Sequence, residues 1–226
     1  MGFINLAQYK VFSYDKIPST QTTAIDLIAN GRATDHCVVV ANAQSDGLGR
    51  FRRKWVSHHG NLYASFIFLA PERDAKISYA VAIAVADTLI NFGIEPSIKW
   101  PNDILVDGKK ISGILIEYYG RFVIVGIGIN VATNPTVPEY KTTKIHKFTD
   151  VSVADVLSQL MKNIDKCMRA DFATIRKRWM SMANGLNTTV KYRGATAELI
   201  GINENGALVL RCGTRYVLAY GDEIMF

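Results

Sequence analysis

Lys99-Trp100-Pro101-Asn102-Asp103, followed by Lys109-Lys110-Ile111-Ser112-Gly113, is the stretch on which the reading of this chain turns. Residues 96–100 have strand character and stop at a proline, which fixes its own φ and biases Trp100 toward extended backbone. Val106-Asp107-Gly108 is a turn, because glycine tolerates positive φ. Two lysines and a second apolar run, 111–116, come next. The pattern is a hairpin that aims a carboxylate and a cation toward one place. Such an arrangement suits the handling of a phosphate group.

Outward from this hairpin the chain alternates helices and strands. Residues 19–31 predict a helix, with Ser19 or Thr20 as cap, an apolar side of Ala24, Ile25, Leu27 and Ile28, and Asn30-Gly31 at its end. The β-branched run 37–41 predicts a buried strand, and 62–69 the next one. Between them, 42–60 is rich in glycine, arginine and histidine and predicts a long loop of functional character. Residues 78–91 predict a helix too uniformly apolar to lie on the surface. Residues 96–131 predict three strands, separated at Asp107-Gly108 and Gly120.

Residues 132–150 read as a connection. Ser152 with Asp155 resembles a capping box, with Asp in place of Glu or Gln. Helical periodicity runs from Val153 to about Met182, with a break near Asp171 and an end at Asn184-Gly185. From Thr188 onward short alternating runs meet turns at Arg193-Gly194, Asn205-Gly206, Cys212-Gly213 and Gly221-Asp222. Pattern alone therefore predicts an α+β fold with a mixed, largely antiparallel sheet packed by helices. A larger domain over 1–185 precedes a small all-β domain over 186–226, which is marginal by itself and leans on the first.

Composition bounds the function. The 226 residues are 49% apolar and 20% charged, as in an ordinary globular protein. A net charge of +6 fits a solvated basic surface as well as a preference for phosphates or an acidic partner, and does not establish nucleic-acid binding. Cys37, Cys167 and Cys212 are far apart, odd in number and in no metal-ligand spacing, so they read as buried or incidental thiols of a reducing cytoplasm. The longest apolar stretch, 122–132, is 11 residues, against the roughly 20 that a membrane span needs. The N-terminal Met-Gly-Phe-Ile-Asn lacks the features of a secretory signal.

Four elements carry a family resemblance: the turn Ser19-Thr20-Gln21, the loop Gly47-Leu48-Gly49-Arg50-Phe51-Arg52-Arg53-Lys54-Trp55, the lysine hairpin, and the strand Gly126-Ile127-Gly128-Ile129-Asn130. Together, and in this order, they resemble the biotin protein ligases. The resemblance implies the catalytic fold shared by biotin and lipoate ligases, followed by a small C-terminal β-barrel like Src-homology-3 domains. It implies that biotin attacks the α-phosphate of ATP, giving biotinyl-5'-AMP and pyrophosphate, and that a lysine of a biotin carboxyl carrier protein domain then attacks the mixed anhydride. Both steps depend on positioning and charge stabilisation more than on a protein nucleophile. ATP with magnesium, biotin and the carrier domain of a biotin-dependent carboxylase are the implied partners.

The resemblance assigns roles residue by residue. Lys110, seven residues after Asp103, matches the family lysine that bridges the biotin carboxylate and the α-phosphate, and Arg50 joins it as a catalytic cation. Ser19, Thr20, Gln21, Gln44, Leu48, Gly49, Arg50, Lys110 and Gly113 form the implied biotin site; helix capping by Ser19 and Thr20 coexists with it. Arg50, Arg53, Trp55, Lys110 and Asn130 form the implied ATP site, Trp55 by stacking on the purine. Asn130 has a competing reading as a buried turn amide. Asp103 is either a magnesium-associated carboxylate or a turn cap. The loop departs from Gly-Arg-Gly-Arg-x-Gly-Arg-x-Trp at Leu48 and Arg52, and the first turn has Gln21 where the family has Asn. A lipoate or octanoate ligase and a biotin-binding regulator without turnover are the alternatives. The 18 residues before Ser19 are too few for a helix-turn-helix domain, so neither specific DNA binding nor membrane association is expected. Edge strands leave a homodimer open.

Overall fold

The computed structural model describes residues 9–70, 72–220 and 224. The N-terminal Met-Gly-Phe-Ile-Asn and the turn expected at Gly221-Asp222 lie outside them. In chain order the elements are β1 (Lys10–Ile17), α1 (Thr20–Ala29), β2 (Cys37–Gln44), β3 (Leu62–Leu69), α2 (Lys76–Asn91), β4 (Ser97–Lys99), β5 (Asp103–Val106), β6 (Lys109–Tyr119), β7 (Phe122–Ile129), α3 (Val153–Met168), α4 (Phe172–Met182), β8 (Thr189–Tyr192), β9 (Ala195–Ile202), β10 (Leu208–Cys212) and β11 (Arg215–Ala219). The α+β class expected from the pattern is what forms. Two units are discernible: Met1–Arg73 with Lys109–Gln159, and Asp74–Gly108 with Leu160–Phe226.

In the first unit the strands lie in the order β1-β2-β3-β7-β6. β1 runs parallel to β2, and the other neighbours are antiparallel. β1 is absent from the sequence expectation. It mixes charged and apolar residues and is half exposed, so it shows neither a buried run nor clean alternation. β3 is buried over seven of its eight residues. Helix α1 starts where expected: Ser19 is extended and its hydroxyl accepts from the Gln21 N–H at 3.2 Å. Ala24 and Leu27 of α1 pack on Cys37, Val39, Ile67 and Ile124. Those strand residues share one sheet face, since Cys37 pairs with Ile67 and Ile67 with Ile124.

In the second unit α2 is buried continuously from Tyr79 to Leu89, as its uniform apolarity requires. The single strand expected over 96–106 is two strands, β4 and β5, because the chain turns at Trp100-Pro101-Asn102. Lys99 and Asp103 consequently face each other across a hairpin. The helical stretch breaks at Asp171, which caps α4 by accepting from the Thr174 N–H at 2.8 Å. At Ser152 the hydroxyl accepts from the Asp155 N–H and donates to the Asp155 carboxylate (3.1 and 2.6 Å). The C-terminal strands form a four-stranded antiparallel sheet in the order β11-β10-β9-β8 among the described residues. Its turns fall at Arg193-Gly194, Asn205-Gly206 and Cys212-Gly213, and every glycine there has positive φ. No described helix is long and apolar enough to cross a membrane.

Asp87 of α2 and Arg178 of α4 form a two-pronged ion pair, one prong at 2.7 Å. The pair holds the Arg178 guanidinium proton more tightly than usual, chiefly through the hydrogen bond to Asp87. The Asp87 side chain is 11% exposed and that of Arg178 32%, so solvent screens the pair in part. Asp87→Ala is expected to destabilise the protein by about 1–2 kcal/mol, below the cost of breaking a fully buried pair. Chemical denaturation of the two proteins checks this; an unchanged midpoint would remove the pair from the stability of α2 against α4.

Candidate active site

The site grows from a row of glycines on one sheet face of the first unit. Gly113 of β6 pairs with Gly128 of β7, and Leu115 pairs with Gly126, so Gly113, Gly126 and Gly128 share a face. It is the face that Val39, Ile67 and Ile124 present to α1. Three missing side chains let Gln21 and Trp55 come down onto the sheet backbone. A methyl group at Gly126 would fall 2.6 Å from Gln21 Oε1, and one at Gly128 2.5 Å from Trp55 Cε2 and Nε1. At Gly113 it would fall 2.9 Å from the Trp55 ring. Glycine is therefore required at these positions by close approach rather than by φ.

At one end of this glycine row the sequence-predicted polar residues meet. Gln44 Oε1 accepts from the Thr20 backbone N–H at 2.8 Å and from the Thr20 hydroxyl at 3.2 Å. Ser65 Oγ lies 2.9 Å from both Thr20 Oγ1 and Gln21 Oε1, its single proton serving one of them. Gln21 Nε2 donates to the Ile124 carbonyl at 3.3 Å. The extra methylene of Gln21, relative to the family's Asn, is what reaches over Gly126 to β7. On the other side Gln44 Nε2 donates to Ser57 Oγ, which donates to the Trp55 carbonyl (2.8 and 2.9 Å). One polar chain thus joins the first turn to the arginine-rich loop. Ser19, Thr20 and Gln21 are all buried in it.

The loop itself is more ordered than a 42–60 connection implies. β2 continues to Gln44, and Leu48 and Lys54 form an antiparallel bridge. The Gly49 N–H donates to the Arg53 carbonyl and the Trp55 N–H to the Gly47 carbonyl, both at 2.8 Å. Leu48 thus serves the loop through its backbone. Phe51 and Arg52 both have positive φ (55° and 57°). Arg52 stands where the family pattern has glycine, so the departure places a side chain on a conformation that glycine takes freely. Phe51 is 68% exposed, with the Arg50 and Arg53 guanidinium carbons 5.0 and 5.6 Å from its ring centroid.

Trp55 lies over Gly113 and Gly128 with its indole N–H buried and lacking an acceptor. Lys110 reaches the same place: its Nζ is 5.3 Å from the Trp55 ring centroid and 5.0 Å from that of Tyr140. Trp55, Lys110, Asn130, Val137, Tyr140 and Thr142 line a narrow groove. Asn130 is buried at the end of β7 and its amide donates to the Thr143 carbonyl at 3.0 Å.

Of the residues singled out in the sequence, Ser19, Thr20, Gln21, Gln44, Leu48, Gly49, Arg50, Arg53, Trp55, Lys110, Gly113 and Asn130 belong to the first unit. Asp103 belongs to the second, on β5 opposite Lys99. Sequence reasoning missed Ser65, Ser57 and Tyr140. Ser65 is the one serine in the apolar run of β3, a signal that was available. Ser57 and Tyr140 carried none, because their partners are brought to them only by the fold.

The Biotin/lipoate A/B protein ligase family pattern matches residues 14–134. The chain is 32% identical to the bifunctional ligase/repressor BirA of Bacillus subtilis over 243 aligned positions, covering 97% of this chain and 74% of that protein. It is 33% identical to the biotin--[acetyl-CoA-carboxylase] ligase of Paracoccus denitrificans, covering 76% of this chain and 83% of the other. Among solved structures, the biotin protein ligase of Aquifex aeolicus in complex with biotin and ATP superposes with a TM-score of 0.85 at 26% identity, over 95% of this chain and 97% of that one. The chain belongs to the Biotin/lipoate A/B protein ligase family.

Proposed function

We propose that this chain activates biotin with ATP and transfers it to a carboxylase. A biotin carboxylate oxygen attacks the α-phosphorus, the bond to pyrophosphate breaks, and biotinyl-5'-AMP results. A lysine amine of the acceptor then attacks the acyl carbon, AMP departs with the electrons of the acyl–oxygen bond, and the amine releases a proton. The names of the relatives, a biotin--[acetyl-CoA-carboxylase] ligase and a structure holding biotin and ATP, support this reading. The observation that carries it is the glycine row of β6 and β7, with a buried polar cluster at one end and Lys110 and the arginine loop at the other.

In this reading the fused rings of biotin lie against the polar cluster, and Ser19, Thr20, Gln21 and Gln44 meet the ureido group. A site built to satisfy such a group rejects acids lacking it by about 10⁴–10⁵. Leu48, Gly49 and Gly113 border the valerate chain. Arg50, Arg53 and Lys110 face the phosphates, where planar guanidinium groups suit oxyanions. Trp55 and Asn130 wall the nucleotide side. Magnesium enters as the counter-ion of ATP; one carboxylate is enough where phosphates and water complete its shell. No group of three His, Cys, Asp or Glu forms a metal site among the described residues. The ligand chemistry falls to residues 1–185, with 186–226 an accessory domain. The carrier domain is the acceptor and the cytoplasm the setting. The exposed edge of β1 offers a surface for a second copy.

Pyrophosphate release with magnesium-ATP, compared for biotin, lipoate and octanoate at equal concentration, tests the reading. Release that depends on biotin alone is expected. Release with lipoate or octanoate instead would assign the pocket to the sister activity. Tight biotin binding with no release would make the protein a binder without turnover.

A further inference from the structure

We propose that Tyr140 is a positioning residue for Lys110, a role that rests on the adenylation reading above. The Lys110 ammonium lies 5.0 Å from the Tyr140 ring centroid and 5.3 Å from that of Trp55. Both distances fall within the roughly 6 Å over which an aromatic face attracts a cation. A lysine ammonium on its flexible stem otherwise samples many positions. Two rings beside it narrow that range before any substrate charge arrives.

The backbone fixes the register of ring and ammonium. The Lys110 N–H donates to the Lys141 carbonyl, and the Lys110 carbonyl accepts from the Thr143 N–H, both at 2.9 Å. Residues 141–143 therefore run beside Lys110, and Thr142 forms a parallel bridge with it. The longer run from Val131 to Thr143 is held at both ends. The buried Asn61 side chain accepts from the N–H groups of Val131, Ala132 and Thr133 at 2.8–3.1 Å. Asn130 holds the Thr143 carbonyl at the far end. Asn134 Nδ2 braces the interior against Thr142 Oγ1 at 2.8 Å. Tyr140 is thus tethered, one residue from the tie, to the lysine it touches. The residue is 41% exposed, so burial does not account for its place.

An aromatic partner suits a lysine that must meet a carboxylate and a phosphate. A ring face orients the cation and leaves its charge available, which is preorganisation at little electrostatic loss.

The test is pyrophosphate release against biotin concentration for Tyr140→Leu, Tyr140→Phe, Lys110→Ala and the double variant Lys110→Ala/Tyr140→Leu. Tyr140→Leu is expected to lower kcat about ten-fold, with KM for biotin changed less than about two-fold. Tyr140→Phe should recover most of that rate, and the double variant should be no slower than Lys110→Ala. In parallel, ¹³C-lysine NMR should show an upfield ring-current shift of the Lys110 ε-methylene, identified by its loss in Lys110→Ala. The shift should shrink in Tyr140→Leu and persist in Tyr140→Phe. Full additivity in the double variant, equal losses in Leu and Phe variants, or an ε-methylene shift indifferent to Tyr140→Leu would each overturn the role. Normal biotin-dependent release with no Tyr140→Leu effect overturns this role alone. Absence of such release in the unaltered protein overturns the adenylation reading and this role with it.

Discussion

Replacing Lys110 with alanine is expected to slow biotin-dependent pyrophosphate release about 10²–10³-fold, the scale for losing one preorganised donor at a developing charge. The ammonium meets the carboxylate and α-phosphate where negative charge accumulates, so its contribution is made in the transition state. Loss should therefore appear in kcat and in kcat/KM alike. Folding should be little affected, because the bonds that tie Lys110 to Lys141 and Thr143 are backbone bonds. Lys110→Arg keeps the charge but replaces a compact ammonium with a planar fork, and should recover only part of the rate. Steady-state kinetics beside a thermal melt make the measurement. A rate near that of the unaltered enzyme with a normal melt would remove Lys110 from the chemistry.

Gly128→Ala should have the next largest effect, a fall in adenylation of about 10²-fold, the penalty of misplacing a site by roughly 1 Å. The new methyl would lie 2.5 Å from Trp55 Cε2, and Trp55 is a rigid ring rather than the loose end of a flexible chain. The indole must leave its place over β6 and β7, carrying with it the loop from Gly47 that the Trp55 N–H ties down. Its resting place is already imperfect: a buried N–H without an acceptor costs about 1–3 kcal/mol. Trp55→Ala in the Gly128→Ala background should therefore restore part of the biotin binding lost. Isothermal titration with biotin reads this directly. Unchanged affinity in Gly128→Ala would mean that the glycine row does not shape the biotin site.

The glycines show why part of this site was legible and part was not. Gly126-Ile127-Gly128-Ile129-Asn130 announces a strand with one bare face, because side chains alternate with period two. That Gly113 completes the bare patch depends on the register of β6 on β7, which no local pattern states. The lysine hairpin is readable from its turn residues, yet the division of 96–106 into β4 and β5 is not, because a proline marks the end of a strand without stating that the chain folds back to pair with it. β1 was missed for a related reason: a half-exposed parallel edge strand is defined by its neighbour rather than by its own periodicity.

By itself the sequence determined what depends on neighbours along the chain. Helix caps at Ser19 and Asp171, turns at Asp107-Gly108 and Asn205-Gly206, the apolar run of α2 and the clustering of arginines after Gly47 all follow from backbone preference and spacing. Tertiary structure alone decided which residues from distant segments share a site. Ser65 joins Thr20 and Gln21, and Tyr140 meets Lys110, across separations of about 30 to 45 positions. Such contacts arise when strands pair in one register and bury a common face. They are selected by the free energy of the whole core and leave no periodic trace at the residues that make them.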